Sequence, residues 1–265
     1  MKTLAATLLF LLPLAAQPEP AALLEKKTLA KIAAYDAALD GALGVAAIDL
    51  TTGRSFSHNG TLITTQASLI KVPVMITAFA RIQAGALKLD DIRELLTRMI
   101  RDSDNEATNE IIKLVTMPRV NAQMVALGLP NTRLRRIMLD FPAATRDEEN
   151  TSTPEEMARL ITLIYREKIV SPQACKEMLA LMKLVRADFR GALPATVESA
   201  SKPGEVEGVH TEAGIVYLEG RPYVLAVMAS LLPGNANPIR DIVEIVNGHF
   251  TRLAQSNKYG HRVRP

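Results

Sequence analysis

The chain has no tryptophan and a single cysteine, and aromatic residues make up only 4% of its 265 positions. So few rings argue against a surface that stacks nucleic-acid bases. One cysteine, Cys175, excludes an internal disulfide, a multi-cysteine zinc centre and a cysteine-held iron–sulfur cluster. It lies in the apolar stretch 174–182, where a buried, inert thiol is expected. The four histidines, His58, His210, His249 and His261, are too scattered to suggest a zinc constellation. His249, between Gly248 and Phe250, is expected on a helix surface or half-buried. No metal or other cofactor is expected. The sequence G-x-S-x-G is missing, which disfavours the Ser-His-Asp hydrolases that carry it. A strong charge of one sign is missing too. The 31 Lys and Arg are interleaved with 28 Asp and Glu for a net +3, so the surface is expected to be mixed, with no nucleic-acid partner.

What is present is an ordinary globular composition, 48% hydrophobic and 22% charged, with length enough for a substantial core. The first residues stand apart. Lys2 precedes an apolar run from Leu4 to Ala16, followed by Gln17-Pro18-Glu19-Pro20. A positive start, a short apolar stretch and small residues before a polar turn read as a secretory signal over residues 1–16. The run is too short to span a bilayer as a helix, so no stable membrane anchor is expected. An exported monomer comprising residues 17–265 is expected, periplasmic or secreted.

Further along, residues 21–39 are rich in Ala, Leu and Lys and read as a helix that Asp40-Gly41 ends with a left-handed glycine cap. Residues 44–50 and 54–58 read as strands joined by Thr51-Thr52-Gly53. A second hairpin is expected from 214–218 and 223–230. Asn237 then caps a helix with Pro238 at its first position, carrying Ile239, Ile242, Val243, Val246, Phe250 and Leu253 at helical spacing. Between the hairpins, helices are expected over 68–83, 90–100, 105–115, 118–127, 154–166 and 172–184. This order implies an α+β fold: an antiparallel sheet from both chain ends, flanked by terminal helices (21–60 and 195–265), with an inserted all-helical lobe (61–194).

Three short motifs carry chemistry. Ser68-Leu69-Ile70-Lys71 is an S-x-x-K sequence that opens an apolar helix, with Lys71 one turn from the Ser68 hydroxyl and within reach of its proton. Ser199-Ala200-Ser201-Lys202 is a second S-x-x-K match, without that helical context. Ser103-Asp104-Asn105 precedes the helical Glu106-Ala107-Thr108-Asn109, and Lys202-Pro203-Gly204 begins a strand beside the second hairpin. Taken alone, each has a bland alternative: a helix cap, a capping turn, and a lysine before a Pro-Gly turn.

Together and in this order, they resemble the motif set of class A β-lactamases and penicillin-binding DD-peptidases. The resemblance spans nearly the whole exported chain. It is especially close at 67–74, 99–109, Asn150-Thr151-Ser152-Thr153-Pro154 and Leu193-Pro194-Ala195. It implies that Ser68 attacks a β-lactam or D-Ala–D-Ala carbonyl to form an acyl-enzyme, with Lys71 taking its proton. Ser103 would pass a proton to the leaving nitrogen, Lys202 would bias that proton and attract the substrate carboxylate, and Asn105 would hold the substrate's side-chain amide. Gly204 and Glu205 would continue the substrate-binding edge, the N–H of Glu205 joining that of Ser68 in an oxyanion hole.

Three departures qualify the resemblance. The family's lactamases carry a loop glutamate, with an asparagine four residues later, to position the deacylating water. Between Arg133 and Asn150 that pair is missing, since Asp140 has Ala144 four residues on while Glu148 and Glu149 crowd the loop's end. Pro203 stands where a hydroxyl usually helps hold the substrate carboxylate. The spacing from Lys71 to Ser103, 32 positions, is short, which implies a more open cleft. The leading expectation is a serine hydrolase that opens β-lactam amides. The alternatives are a peptidoglycan DD-peptidase with slow β-lactam turnover, and a penicillin-binding or sensor protein that stays acylated.

Overall fold

The computed structural model describes residues 19–263, so the expected signal over 1–16 lies outside the described residues. Strands drawn from both ends of the chain form one antiparallel sheet. Helix α1 (Pro20–Ala38) precedes β1 (Ala42–Asp49), β2 (Ser55–His58) and the short β3 (Thr64–Thr65). The inserted lobe contains α2 (Lys71–Gln83), α3 (Leu89–Arg101), α4 (Asn105–Val115), α5 (Met117–Ala126), α6 (Phe141–Ala144), β4 (Thr151–Ser152), α7 (Pro154–Tyr165), α8 (Pro172–Lys183) and α9 (Asp188–Ala192). The chain returns through β5 (Ser199–Val206), β6 (Val209–Val216) and β7 (Tyr223–Ser230) and ends in α10 (Ile239–Gln255). Strand order is β2-β1-β7-β6-β5, so the N-terminal hairpin lies directly against the last strand. The expected α+β plan is the observed one, except that the inserted lobe is not all-helical, since β3 and β4 pair within it as a two-stranded antiparallel ladder.

Alternation along β7 shows how the sheet separates two cores. Tyr223, Leu225, Val227 and Ala229 pack with Ile32, Val243 and Phe250 of the terminal helices. Val224, Ala226 and Met228 pack on the other face with Met75, Leu96 and Met157 of the helical lobe. No helix of the described residues is long and apolar enough to cross a membrane.

Several boundaries differ from the sequence expectations. Helix α1 stops at Ala38, where extended Leu39 returns its N–H to Tyr35 and Asp36, and Gly41 does not cap it. Gly41 instead passes so close to the neighbouring loop that a Cβ would lie 2.9 Å from Leu232 Cδ2. The second hairpin is longer than expected, since β6 begins at Val209 and pairs with all of β5. Polar residues His210 to Glu212 hide that extension from an apolar-run reading. Helix α10 begins at Ile239, but Asn237 does accept its first N–H, at 3.0 Å. His249 is buried rather than half-exposed, bonded to Thr28 at 3.1 Å and edge-on to Phe56 and Phe250. Burial, ahead of nearby Arg221, pushes its pKa down to about 4, so it is a neutral core residue. Cys175 is buried as expected, with its thiol on the Ile169 carbonyl.

Leu225, fully buried in the middle of the sheet, tests this packing. Leu225→Ala is expected to cost about 2–5 kcal/mol in denaturant unfolding. A loss under about 1 kcal/mol would show that the sheet face is not close-packed.

Candidate active site

The site assembles where the helical lobe meets the edge of the sheet. Ser68 lies in a single 3₁₀ turn, Ala67–Ile70, that leads directly into α2. Ala67 holds a left-handed φ of 46°, which turns the chain sharply just before Ser68. Three ties hold the turn: Gln66 N–H donates to the Asn150 carbonyl at 2.9 Å, Leu69 N–H to the Gln66 carbonyl at 2.9 Å, and Thr211 Oγ1 to the same carbonyl at 3.1 Å.

Lys71, in the first turn of α2, has no solvent exposure. Its ammonium lies 2.9 Å from Ser68 Oγ, 3.0 Å from Ser103 Oγ, 2.6 Å from the Ser103 carbonyl and 2.9 Å from Asn105 Oδ1. A buried cation survives only with such a shell of acceptors. Burial lowers the Lys71 pKa to about 8, against the opposing pull of Asp104.

Ser103 and Asn105 are delivered by a locked turn. Ser103 has a left-handed φ of 57°. Asp104 accepts the Ala107 N–H at 2.9 Å to cap α4 and pairs with the Arg98 guanidinium, and these bonds hold its carboxyl below the usual carboxylate range. The capping role and the chemical role of this turn therefore coexist.

Lys202 approaches from β5. It is fully buried and donates to Ser103 Oγ at 3.0 Å and to the Pro203 carbonyl at 2.8 Å. Burial, then the nearby Lys71 charge, lowers its pKa to about 7, opposed by Glu212. Glu212 is itself buried behind β6, accepting from Ser201 Oγ and the Phe189 N–H, and burial raises its pKa to about 7. Two ammonium groups thus share one serine hydroxyl, a geometry that disfavours both staying charged at neutral pH.

Strand β5 forms the sheet edge, which is where Pro203 is tolerated. Gly204 lets this edge close on the Ser68 turn: a Cβ there would lie 2.6 Å from the Gln66 carbonyl and 2.8 Å from the Leu69 nitrogen. Glu205 lines a cleft together with Ser68 and Asn105. All seven sequence-selected residues, Ser68, Lys71, Ser103, Asn105, Lys202, Gly204 and Glu205, therefore gather in one place. The second S-x-x-K match lies on β5, where Ser199 is a buried strand residue and only Lys202 joins the site.

The loop facing Ser68 was less legible. Asp140 caps α6 through the Ala143 N–H and does not line the cleft. Glu149 does line it, but both its oxygens are engaged by Arg136, at 3.0 and 3.3 Å. Glu148 pairs with Arg146 on the surface. Met138 also lines the cleft, its backbone clamped by Asn109, which accepts the Met138 N–H at 2.8 Å and donates to its carbonyl at 3.1 Å. Asn150 fastens the loop's base, accepting N–H groups of Arg135 and Arg136 and donating to the Arg136 carbonyl. For Asn109 the available signal was its place four residues after Asn105, on the same face of α4. Asn150 offered none beyond its place before Thr151. Among the described residues no group of three metal-binding side chains exists.

The arrangement can move a proton from Ser68 through Lys71 to Ser103, beside an open cleft. Its architecture is that of the class A β-lactamase fold. The ancestral (GNCA) class A β-lactamase superposes with a TM-score of 0.77 at 23% identity, covering 84% of this chain and all of that one. PBP-A superposes with a TM-score of 0.76 at 24% identity, covering 86% of this chain and 96% of that one. The chain itself belongs to the β-lactamase enzyme family, whose Beta-lactamase2 model matches residues 26–92 and 91–250. A β-lactamase of Rhodobacter capsulatus is 26% identical over 238 residues, spanning 75% of this chain and 78% of that protein.

Asn109→Ala tests the clamp on the loop. It leaves two backbone groups of Met138 without their partner, an expected loss of about 1–3 kcal/mol. Hydrogen exchange should quicken over 134–150 while the sheet amides keep their protection, and unchanged exchange in the loop would contradict the assignment.

Proposed function

We propose that this protein is a serine acyl-transfer enzyme that reacts with β-lactam or D-Ala–D-Ala amides through Ser68 and releases the acyl group slowly. The observation that carries the reading is Lys71 Nζ lying 2.9 Å from Ser68 Oγ with a lowered pKa. Neutral Lys71 accepts the Ser68 proton as Oγ attacks the carbonyl carbon. The N–H groups of Ser68 and Glu205 take the oxyanion, each such donor contributing about a hundred- to a thousandfold. The proton passes through Ser103 to the departing nitrogen, the C–N bond breaks, and an ester remains on Ser68. Asn105 and Lys202 hold the substrate's amide and carboxylate.

Release needs a water held and deprotonated beside that ester. On the facing loop Met138, which carries no ionisable group, lines the cleft, Asp140 caps a helix, and Glu149 is bound to Arg136. No carboxylate of this loop lines the cleft without a partner, so deacylation is the slow step. A mutant of PBP-A, whose fold this chain shares, has been solved as an acyl-enzyme with penicillin-G. A second reading, rapid β-lactam hydrolysis, is favoured by the relative of Rhodobacter capsulatus, named a β-lactamase. The reaction is assigned outside the cytoplasm on the apolar run 4–16, which reads as a secretory signal.

Mixing with nitrocefin is expected to release a burst of about one chromophore per enzyme, then a slow steady rate. Ser68→Ala should abolish the burst, while Asp140→Asn and Glu149→Gln should leave the slow phase within about threefold of wild type. A burst in Ser68→Ala would transfer the nucleophile elsewhere. Rapid linear turnover that collapses in Glu149→Gln would support the second reading.

Acylation also has a predicted pH profile. Only neutral Lys71 accepts the proton, so the rate should climb about tenfold per unit below about pH 8 and level off above it. Lys71→Arg, which cannot deprotonate, should lose that rise and slow acylation about 100- to 10,000-fold. A wild-type profile flat from about pH 6 to 9 would remove Lys71 from the base role.

A further inference from the structure

The cleft extends beyond the reacting groups, and that end has its own character. Leu139, Phe141 and Val206 line it and remain 55%, 67% and 40% exposed. Large apolar side chains left open to water, grouped on the wall of one cleft, mark a contact surface rather than ordinary surface scatter. The chain is also bent to present them. Leu139 holds a φ of 64°, a left-handed conformation that is an outlier for so bulky a residue. Its carbonyl accepts the Phe141 N–H at 3.0 Å, and Asn109 clamps Met138 just before it. Strain of this kind persists where the surroundings over-determine it, and it clusters at binding sites.

The charges here favour no anion. The ionisable lining consists of Arg136, Glu149 and Glu205, a net charge of −1, and Arg136 is already engaged by Glu149. The two buried lysines of the site, Lys71 and Lys202, do not line the cleft and are committed to Ser68, Ser103 and Asn105 and to Ser103 and the Pro203 carbonyl.

We propose that this end of the cleft selects substrates whose acyl side chain is apolar and carries no negative charge, an aryl or alkyl group seated against Leu139, Phe141 and Val206. The inference deepens the reading of Ser68 as nucleophile and rests on it.

Boronic acids that add reversibly to a serine hydroxyl test it without requiring β-lactam turnover. Phenylacetamidomethyl-boronic acid, acetamidomethyl-boronic acid, and the phenylacetamido compound with a carboxylate on the side-chain α-carbon are titrated by calorimetry. The phenyl compound is expected to bind about tenfold more tightly than the acetyl one, the scale of burying one ring against three side chains. The added carboxylate is expected to reverse most of that gain. Phe141→Ser, and separately Leu139→Asn, a residue that accepts the left-handed φ, should cut the phenyl preference to below about threefold without changing the acetyl compound's affinity. Equal affinities for phenyl and acetyl, or tighter binding of the carboxylated compound, would overturn the proposal and leave the Ser68 reading intact. If none of the three binds, the Ser68 reading fails and this proposal fails with it.

Discussion

An ammonium group with no access to water is the constraint on which the rest of the site depends. Lys71 must be ringed by acceptors, and the four that ring it come from two separate pieces of chain: the Ser68 turn, and the Ser103 turn with the start of α4 that follows it. Both pieces hold a left-handed residue, Ala67 or Ser103, whose strain the surrounding bonds offset. Lys202 then arrives from the sheet to share Ser103 Oγ, so the lobe and the sheet are joined through one hydroxyl. Gly204 is bare because that joint leaves no room for a Cβ between β5 and the Ser68 turn. The same desolvation that threatens the fold supplies the chemistry, by bringing a lysine's pKa down toward neutrality.

Half of the proposed reaction is fully equipped and half is not. The proposed attack draws on Ser68, Lys71 and Ser103, and both hydroxyls lie within hydrogen-bond reach of the Lys71 ammonium. Release uses a positioned water, and the loop that should supply its base carries Met138 at the cleft and ties Glu149 to Arg136. The loop is nonetheless well fastened, by Asn109 in its middle and Asn150 at its base. It serves as a wall, shaping the cleft and presenting Leu139 and Phe141.

The sequence exposed what depends on near neighbours. Ser68 and Lys71 lie one turn apart, Asp104 caps α4 three residues ahead of the N–H it accepts, and both patterns are readable from spacing. The strands β1, β2 and β7 and the long helices follow from apolar periodicity. The short elements outside the hairpins, β3, β4, α6 and α9, leave too little pattern to read. The start of β6 was hidden by its polar residues, one of which, Glu212, is buried only because long-range packing places it behind the sheet. His249 misled for the same reason, since its burial is set by Thr28 and Phe56, far away in sequence. The clamp between Asn109 and Met138 spans 29 positions and has no local signature. Lys202 is the intermediate case, an unremarkable lysine until the joint pattern placed it with the other two motifs.

The central claim is that burial brings Lys71 within reach of neutrality at physiological pH, coupled to Lys202 through Ser103. The direct measurement is an NMR titration of the lysine side chains labelled at Cε, with Lys71→Met and Lys202→Met, which remove the charge, used for assignment. Two lysines should titrate far below the ordinary 10.5, Lys71 at about 8 and Lys202 at about 7, and removing either charge should shift the other upward. If both titrate near 10.5 with the remaining lysines, the ammonium is solvated, and the account of how this site activates Ser68 is wrong.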